Sequence, residues 1–363
     1  MARSLEKVTK LFYYWLTTNQ ITCIMALSFK KCSVKGKIEA IYETTVIKNE
    51  QSSKRKGQPF KVVTTECLKE RFLENKEAGY LQPTLKIDGT SCLINEFNGR
   101  PWLWARHDVK PNKIGDKKFK AWKEEMSLHA ECPSEAAPVL ELDLESDFKE
   151  FPDDWRSSTG STKENATPSD NGHLVGWVPV DPSLRNHLWH LSVVNLSTGH
   201  VLVAKYNKEI KSLTVSIFPL KDLVGNTFEL IGTNVNANPY GLGSKKAPVH
   251  VLIQHGEIPI TISEKLDTYS HQELNDWFAS ENGQSEGIIW HSTQNNDMFK
   301  VHRHHLQQRW PVPTPVLVSF PVSISLGDSD LVDSVSGSKK SQFSQLKELN
   351  GQTLESLRSI DLT

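Results

Sequence analysis

The string Leu85-Lys86-Ile87-Asp88-Gly89 places a lysine two residues before an aspartate and three before a glycine. A lysine amine can attack a nucleotide phosphate, and in an extended segment Lys86 and Asp88 would point to the same side. Gly89 would let the chain turn closely past a ligand. Because an amine of pKa about 10.4 is protonated at neutral pH, this lysine would need burial or nearby cations to react. The alternative is a strand-end lysine followed by an Asp-Gly turn.

Two glutamates accompany apolar strands later in the chain and are candidates for the same site. Glu229 interrupts the apolar run 227–232, and Glu286 opens the run that begins at Gly287. A buried carboxylate needs a cation or a hydrogen-bond donor. The strand after the next polar turn carries Lys300, so pairing of these two strands would bring Glu286 and Lys300 to one site. For Glu229 the alternative is an edge residue paired with a nearby lysine.

An arginine is placed near the same site by a hairpin signature. Asn98-Gly99 separates the strand-like segments 92–97 and 101–106 and predicts a two-residue turn. Arg106 then lies on a strand antiparallel to the one that follows Lys86. It is a candidate to reach the pocket, and the alternative is a surface arginine.

Three charged clusters have both a functional and a structural interpretation. The lysine-rich segment 110–125, predicted to be helical in its second half, is either a solvated face or a surface for phosphates. An alternating acidic run consists of Glu141, Asp143, Glu145 and Asp147. It suggests metal ligands or an exposed edge, and its position before Pro152 favours the edge. The spacing of the histidines at 302, 304 and 305 does not favour a zinc site.

Composition indicates a globular protein of a reducing compartment. Of the 363 residues 37% are hydrophobic and 23% are charged, and the formal net charge is −1. A polyanion would therefore bind in a lined groove rather than through a global positive field. The five cysteines form no Cys-x-x-Cys pair, which argues against a disulfide framework or a zinc ribbon. We expect an intracellular location, cytoplasmic or nuclear.

The chain divides into three regions by its patterning. Residues 1–32 form an extension, disordered or organelle-targeting, whose apolar run is too short and too polar to span a membrane. Residues 33–315 form the main domain, with a polar surface loop at 157–172. Residues 316–363 are predicted to form a mobile Ser-rich tail that ends in a short docking helix.

Four strings in this order resemble motifs I, III, IV and V of the covalent nucleotidyltransferases, which include DNA ligases, RNA ligases and mRNA capping enzymes. They are Lys86-Ile87-Asp88-Gly89, Phe228-Glu229-Leu230-Ile231-Gly232, Glu286-Gly287-Ile288-Ile289 and Lys300. Longer strings are similar to the vertebrate-type ATP-dependent 5′-to-3′ RNA ligases; they are 101–106 with 110–113, 231–234 with 238–246, and 286–291 with 300–306. The resemblance runs from about Ser33 to Pro313.

The resemblance implies a fold and a reaction. The fold is the α+β nucleotidyltransferase fold of two antiparallel β-sheets with flanking helices, without an appended OB domain. The enzyme would be a monomer that uses ATP with Mg²⁺ or Mn²⁺ and joins RNA ends in RNA repair, with no membrane partner. Lys86 would take AMP from ATP, pass it to an RNA 5′-phosphate, and a 3′-hydroxyl would then displace it.

The resemblance also implies roles for individual residues. Lys300 would hold the α-phosphate and lower the pKa of Lys86. Glu229 and Glu286 would bind metal or ribose hydroxyls. Further nucleotide-binding candidates are Thr84, Asp88, Gly89 and Arg106. Candidates for contact with RNA are Lys245, Lys246, His302 and Arg303.

Two departures and two alternative functions accompany this interpretation. His302 stands where many relatives carry a lysine, and Ser91 stands where many DNA ligases carry an arginine, which argues against DNA nick sealing. The alternative functions are a GTP-dependent RNA guanylyltransferase and a catalytically silent module that binds RNA ends. Labelling with each nucleotide separates the three.

Overall fold

The computed structural model describes residues 33–48, 60–131, 136–160, 163–169, 171–260, 266, 268–337 and 340–363. The predicted extension at 1–32 lies outside these residues. The described strands are β1 (Glu39–Ala40), β2 (Tyr42–Lys48), β3 (Phe60–Leu68), β4 (Leu81–Lys86), β5 (Thr90–Phe97), β6 (Arg100–Arg106), β7 (Arg156–Ser157), β8 (Gly176–Pro179), β9 (Val194–Asn195), β10 (His200–Asn207), β11 (Ser212–Pro219), β12 (Thr227–Gly232), β13 (His250–Gln254), β14 (Gly287–Ser292), β15 (Met298–His302), β16 (Val322–Ile324) and β17 (Thr353–Leu354).

The described helices are α1 (Glu70–Glu77), α2 (Lys113–Glu131), α3 (Leu188–Leu191), α4 (His271–Ala279), α5 (Ser329–Ser336) and α6 (Gln342–Leu346). None of these helices is long and apolar enough to cross a bilayer. The strands pair mainly antiparallel and the helices lie between strands in the chain order, so the fold belongs to the α+β class, as the sequence predicts.

The strands form two main sheets, one small and one large, and β2 and β3 form a separate antiparallel pair. The small sheet has the order β1-β15-β14-β4, and the large sheet has the order β17-β16-β11-β10-β13-β12-β5-β6-β8-β7, with β9 against β10. The sequence interpretation predicts two antiparallel sheets. This prediction is wrong for three strand pairs, which are parallel: β1 with β15, β10 with β13 and β11 with β16. Each pair joins segments that no hairpin turn connects, so no local signal marks it.

Residues 87–89 carry the chain from the small sheet into the large sheet. Lys86 is the last residue of β4, and Thr90 is the first residue of β5. A Cβ atom on Gly89 would lie 2.3 Å from the carbonyl oxygen of Leu230 in β12, so this close approach requires glycine. The candidate nucleophile therefore stands where the two sheets are joined.

Alternate residues of the small sheet divide between an apolar core and a polar face. Ile288, Trp290 and Val301 are buried in a core that also contains Phe72 of α1 and Phe278 of α4. Because side chains alternate along a strand, the opposite face holds the residues of the predicted chemistry. These are Thr84 and Lys86 of β4 and Lys300 and His302 of β15.

Local sequence signals fix one hairpin and one helix start. Asn98 and Gly99 have φ values of 50° and 74°, and they join β5 to β6, which confirms the predicted hairpin. The side-chain oxygen of Asn112 accepts from the backbone N–H of Ile114 at 2.8 Å, so α2 begins directly after it. The helix therefore covers most of the lysine-rich segment rather than its second half.

Two predicted surface segments have different outcomes. The described residues of the loop 157–172 are irregular apart from the end of β7 and a short 3₁₀ turn at Lys163–Asn165. The described residues of the tail at 316–363 are packed on the main domain, because β16 and β17 extend the large sheet and Phe343 and Leu357 are buried. The short helix that was predicted in this tail is present as α6. The many serines of this segment indicated a loop, but serine is also common at the start of helices, and Ser341 caps α6.

Glu257, just after β13, is a largely buried carboxylate. Its Oε1 accepts from the backbone N–H of Tyr206 at 3.1 Å, whereas its Oε2 has no hydrogen-bond donor among the described residues. Burial raises the pKa of Glu257 to about 7, and Lys205 only partly offsets this effect. Ionisation of this side chain is therefore unfavourable in the folded state.

Replacing Glu257 by glutamine is expected to remove a loss of stability that the wild type suffers as pH rises. The folded pKa of about 7 exceeds the ordinary 4.5, so the folded state binds more protons between these values and the wild type loses stability through that window. At about 1.4 kcal/mol per pH unit, the full loss is at most about 3.5 kcal/mol. Urea unfolding of wild type, Glu257→Gln and the exposed control Glu209→Gln at about pH 5 and about pH 8 measures it. If the difference in the free energy of unfolding between Glu257→Gln and wild type does not grow with pH, the raised pKa of Glu257 is contradicted.

Candidate active site

Lys86 forms an ion pair with a glutamate of the neighbouring strand segment. Its Nζ lies 2.5 Å from Oε2 of Glu286, and both side chains are largely buried. The pairing of β4 with β14 brings them together, because Gly287, the residue after Glu286, lies opposite Lys86 in the register. Lys86, from the string that resembles motif I, and Glu286, from the string that resembles motif IV, are thus in direct contact.

The carboxylates around Lys86 keep its amine protonated in this state. Burial by itself lowers the pKa of Lys86, but the adjacent Glu286, with Glu229 and Asp88, more than offsets that effect and raises the pKa above its ordinary value. The pKa of Lys86 is therefore raised, whereas the sequence interpretation predicted that it would be lowered. Burial also raises the pKa of Glu286, against the opposing effect of Lys86.

Three side chains from distant parts of the chain hold Asp88. The hydroxyl of Tyr240 accepts from the backbone N–H of Asp88 at 2.8 Å. Asn236 donates to Oδ1 of Asp88 at 2.8 Å and also to the carbonyl of Gly89. The indole N–H of Trp310 donates to Oδ2 at 2.7 Å. These contacts fix the backbone two residues beyond Lys86, and hence the direction from which the lysine approaches the site.

The C-terminal segment supports this arrangement. The guanidinium of Arg358 donates to the carbonyl of Tyr240 at 2.7 Å and to that of Pro313 at 3.2 Å. Tyr240 is buried, and it packs edge to face with Trp310. The last residues of the chain therefore support Tyr240, one of the three groups that hold Asp88.

Replacing Trp310 by phenylalanine is expected to slow nucleotide transfer to Lys86 about tenfold, because it removes one hydrogen bond to a carboxylate and keeps the aromatic ring. Trp310 acts through Asp88, so the maximal rate is expected to fall while the KM for nucleotide changes little. Single-turnover labelling of the protein measures both.

The matched control is Trp122→Phe, which removes an indole hydrogen bond of 2.9 Å to the carbonyl of Pro138 in another part of the fold. Equal rates for Trp310→Phe and Trp122→Phe would show that Trp310 does not position the lysine.

Glu229 is buried in the large sheet and held by two donors. Its Oε2 lies 3.1 Å from Oγ of Ser91 on β5 and 2.8 Å from Nε2 of His255. The other ring nitrogen of His255 lies 2.8 Å from the hydroxyl of Thr227. Glu229 is thus an oriented carboxylate within electrostatic reach of Lys86, rather than an edge residue paired with a lysine.

Arg106 lies near this site in a fixed orientation. Its Nε donates to Asp108 at 2.8 Å, and its guanidinium lies over the ring of Trp177 at 4.8 Å. Burial lowers the pKa of Arg106, but Asp108 opposes this effect and a guanidinium remains charged at physiological pH. Glu229 also acts electrostatically on Arg106 and opposes the lowering of its pKa. The place of Arg106 in the pocket of Lys86 stays a prediction.

The other nucleotide candidates lie on the polar face of the small sheet. Thr84 is buried, and its hydroxyl lies 2.9 Å from Nε2 of His291. Lys300 pairs with Ile289, which pairs with Thr84, so Lys300 shares the face of Lys86. His302 occupies the same face opposite Gly287 and packs against His305, with ring centroids 3.6 Å apart.

The predicted RNA contacts have different environments. Lys245 and Lys246 are exposed in the segment between β12 and β13. Arg303 is buried, and its guanidinium donates to the carbonyls of Ser285, Phe278 and Gly283. These internal bonds leave Arg303 unsuited to contact RNA, so its prediction as an RNA ligand is wrong. No local signal indicates this, because burial of an arginine depends on carbonyls supplied by other segments.

The acidic run at 141–147 forms a turn. Asp143 accepts from the N–H of Ser146 at 2.8 Å, and Asp147 pairs with Lys118 at 2.8 Å. Among the described residues no group of three or more His, Cys, Asp or Glu side chains is placed to hold a metal ion. Within this part of the chain, neither the acidic run nor the three histidines forms a metal centre.

The sequence of this chain matches a known protein family. The family model described as RNA ligase 1 matches residues 28–363. The chain belongs to the RNA ligase 1 family. RNA ligase 1 of Mus musculus is 40% identical over 334 residues, covering 91% of this chain and 98% of the relative. RNA ligase 1 of Danio rerio is 39% identical over 332 residues, covering 90% and 97%. The Pongo abelii relative is 41% identical over 298 residues, covering 81% and 87%.

Membership of the RNA ligase 1 family extends over the C-terminal region that the motif resemblance left out. The match ends at residue 363, and in the structure that region contacts Tyr240 through Arg358. Four residues that contact Asp88 or Glu229 were not predicted from the sequence. They are Asn236, Tyr240, His255 and Trp310. Tyr240 lies within a string that carried the resemblance and Asn236 lies between two such strings, but no local signal singled out His255 or Trp310.

Proposed function

We propose that this chain is an ATP-dependent RNA ligase that joins a 5′-phosphate to a 3′-hydroxyl through AMP bound covalently to Lys86. The proposal includes the nucleotidyltransferase fold and a role in RNA repair. Membership of the RNA ligase 1 family supports RNA ligation. The step through AMP bound to Lys86 rests on the site, and the ATP dependence rests on the resemblance to the ATP-dependent RNA ligases.

The contact between Lys86 and Glu286 is the observation that carries the proposal. A largely buried lysine amine lies 2.5 Å from a carboxylate at the point where the two sheets are joined. A lysine is suited to this reaction because it attacks as a neutral amine and, once protonated in the phosphoramidate, becomes a good leaving group. The remaining demand of phosphoryl transfer is positioning and charge neutralisation.

In the first step, the nitrogen of Lys86 attacks the α-phosphorus of ATP, and the bond to pyrophosphate breaks. The amine must lose a proton, and Glu286 is the hydrogen-bonded acceptor beside it. Burial raises the pKa of Glu286, which makes it a better base. Lys300 would bind the α-phosphate from the same face of the small sheet. Arg106 would contribute a second, oriented cation.

AMP then passes to the RNA 5′-phosphate, breaking the nitrogen–phosphorus bond and returning the electron pair to Lys86. The RNA 3′-hydroxyl finally attacks the adenylated phosphate and releases AMP. Thr84, Asp88 and Gly89 would contribute to the nucleotide site. Lys245, Lys246 and His302 remain candidates for contact with RNA; the first two are exposed, and His302 is partly buried.

A divalent metal is part of the proposal because Mg²⁺ and Mn²⁺ suit carboxylate and phosphate oxygens. Glu229 already accepts from Ser91 and His255, and Glu286 from Lys86. These two carboxylates fit a metal only as part of a set that nucleotide oxygens complete, since the described residues hold no preformed cluster of three ligands. The metal would supply charge neutralisation at the phosphates.

The test is incubation of the protein with α-labelled ATP, and separately α-labelled GTP, with Mg²⁺, followed by 5′-phosphorylated RNA. We expect label on the protein from ATP alone, its loss when RNA is added, and a joined RNA product. Label from GTP alone would identify a guanylyltransferase. RNA binding without label from either nucleotide would identify a catalytically silent module.

A further inference from the structure

A cleft with two exposed cations lies beside the proposed active site. Its volume is about 420 Å³, and the residues that define it are Lys35, Trp104, Arg156, Ser157, Ser158 and Trp177. We call it the Arg156 cleft. No carboxylate belongs to its described lining, whereas Lys35 and Arg156 are both exposed. The charge of the cleft is therefore complementary to an anion.

The Arg156 cleft continues the face of the large sheet that carries Glu229. Glu229 pairs with Ser91 on β5, and Leu93, two residues further along, points to the same side. Leu93 pairs with Trp104 on β6. On the same side of the sheet, Arg106 pairs with Trp177, and Trp177 pairs with Arg156. A ligand that begins at Glu229 can thus extend along one surface into the cleft.

The two arginines on this surface are oriented by tryptophan rings. The guanidinium of Arg156 lies 4.7 Å from the ring centroid of Trp104, and that of Arg106 lies 4.8 Å from that of Trp177. Arg106 already donates to Asp108, whereas Arg156 is exposed and its Nη1 lies 3.4 Å from the carbonyl of Glu96. An exposed guanidinium can offer its N–H groups to phosphate oxygens in a bidentate contact. The backbone carbonyl of Lys35 accepts from Arg106 at 2.6 Å, which fixes the lysine at the edge of the same surface.

One buried donor in the cleft also indicates a ligand. The indole Nε1 of Trp177 has no acceptor among the described residues, although only 2% of the residue is exposed. The indole of the neighbouring Trp104, by contrast, donates to the carbonyl of Asn95 at 3.3 Å. Buried N–H groups rarely stay unpaired, because an unmade hydrogen bond is costly.

We propose that the Arg156 cleft binds backbone phosphates of the RNA strand whose end lies at Lys86, with Arg156 and Lys35 as the contacts. The inference rests on the proposed function and names a binding surface outside the nucleotide site. Phosphate contacts of this kind hold the strand without reading its sequence.

The experiment compares wild type with the double variant Lys35→Gln/Arg156→Gln, using a 5′-phosphorylated single-stranded RNA and several salt concentrations. Both residues are exposed, so the fold is expected to be retained. We expect RNA affinity to fall about tenfold or more. The slope of log affinity against log salt is expected to fall by roughly 0.7 for each phosphate that the variant no longer neutralises. Labelling of Lys86 by ATP is expected to be unchanged.

Two further variants sharpen the comparison. Lys211→Gln removes an exposed cation between β10 and β11, several strands away in the large sheet, and is expected to bind RNA as wild type does. Arg156→Lys keeps the charge and removes the guanidinium fork, so its affinity is expected to lie between those of wild type and the double variant.

Wild-type affinity and salt slope in the double variant would overturn the inference. Loss of ATP labelling with unchanged RNA binding would overturn it as well, because the cleft would then serve the nucleotide. If wild type binds RNA through the Arg156 cleft but takes no label from ATP, the proposed ligase function is wrong, whereas the proposed RNA-binding role of the cleft is retained.

Discussion

Replacing Lys86 by arginine is expected to reduce covalent labelling by ATP at least about a thousandfold, because the guanidinium stays protonated and cannot attack phosphorus. Arginine retains the positive charge that Glu286, 2.5 Å from Nζ, requires as a partner. The buried carboxylate is therefore not left without a counter-charge, and a gross loss of folding is not expected. The measurement is the rate of label transfer in a single turnover.

An RNA that already carries AMP on its 5′-phosphate separates chemistry from folding. Joining of such an RNA needs no lysine nucleophile, so Lys86→Arg is expected to retain a measurable joining rate with it. The control Lys117→Arg makes the same exchange at an exposed position of α2 and is expected to label as wild type does. Labelling of Lys86→Arg at the wild-type rate would exclude Lys86 as the nucleophile.

Replacing Glu286 by glutamine is expected to move the pH dependence of Lys86 labelling to lower pH. Burial lowers the pKa of Lys86, and Glu286 is the strongest opposing influence. Labelling requires the neutral amine, so in wild type its rate keeps rising with pH up to the raised pKa. Without the carboxylate that pKa falls, and the rate levels off earlier.

The maximal rate of Glu286→Gln is also expected to fall, since the variant lacks the proton acceptor. The position of the pH profile separates the two effects, because a loss of maximal rate alone does not move it. Glu281→Gln, an exposed glutamate on the preceding turn, is the matched control. A profile for Glu286→Gln that coincides with that of Glu281→Gln would show that Glu286 does not control the Lys86 amine.

The residues of the site were predictable where a local string specified them. Lys86, Glu229 and Glu286 each belong to a short motif, and the apolar residues around them predicted strands. The Asn98-Gly99 turn fixed the hairpin that carries Arg106. In each case the informative residues are neighbours in the chain.

The parts that sequence reasoning missed depend on contacts between distant segments. Trp310 meets Asp88 across 222 residues, and Asn236 meets it across 148. The pKa of Lys86 is set by carboxylates from three segments, so its direction could not be derived from the motif alone. Parallel strand pairs such as β11 with β16 likewise lack a connecting turn that would reveal them.

The most direct test of Lys86 as the nucleophile is peptide mapping by mass spectrometry after incubation of the protein with ATP and Mg²⁺. We predict AMP on the peptide that contains Lys86, attached through an acid-labile phosphoramidate, with no AMP on the peptide that contains Lys300. AMP on Lys300 or another residue, or none on a protein that joins RNA with ATP, would contradict the proposed mechanism.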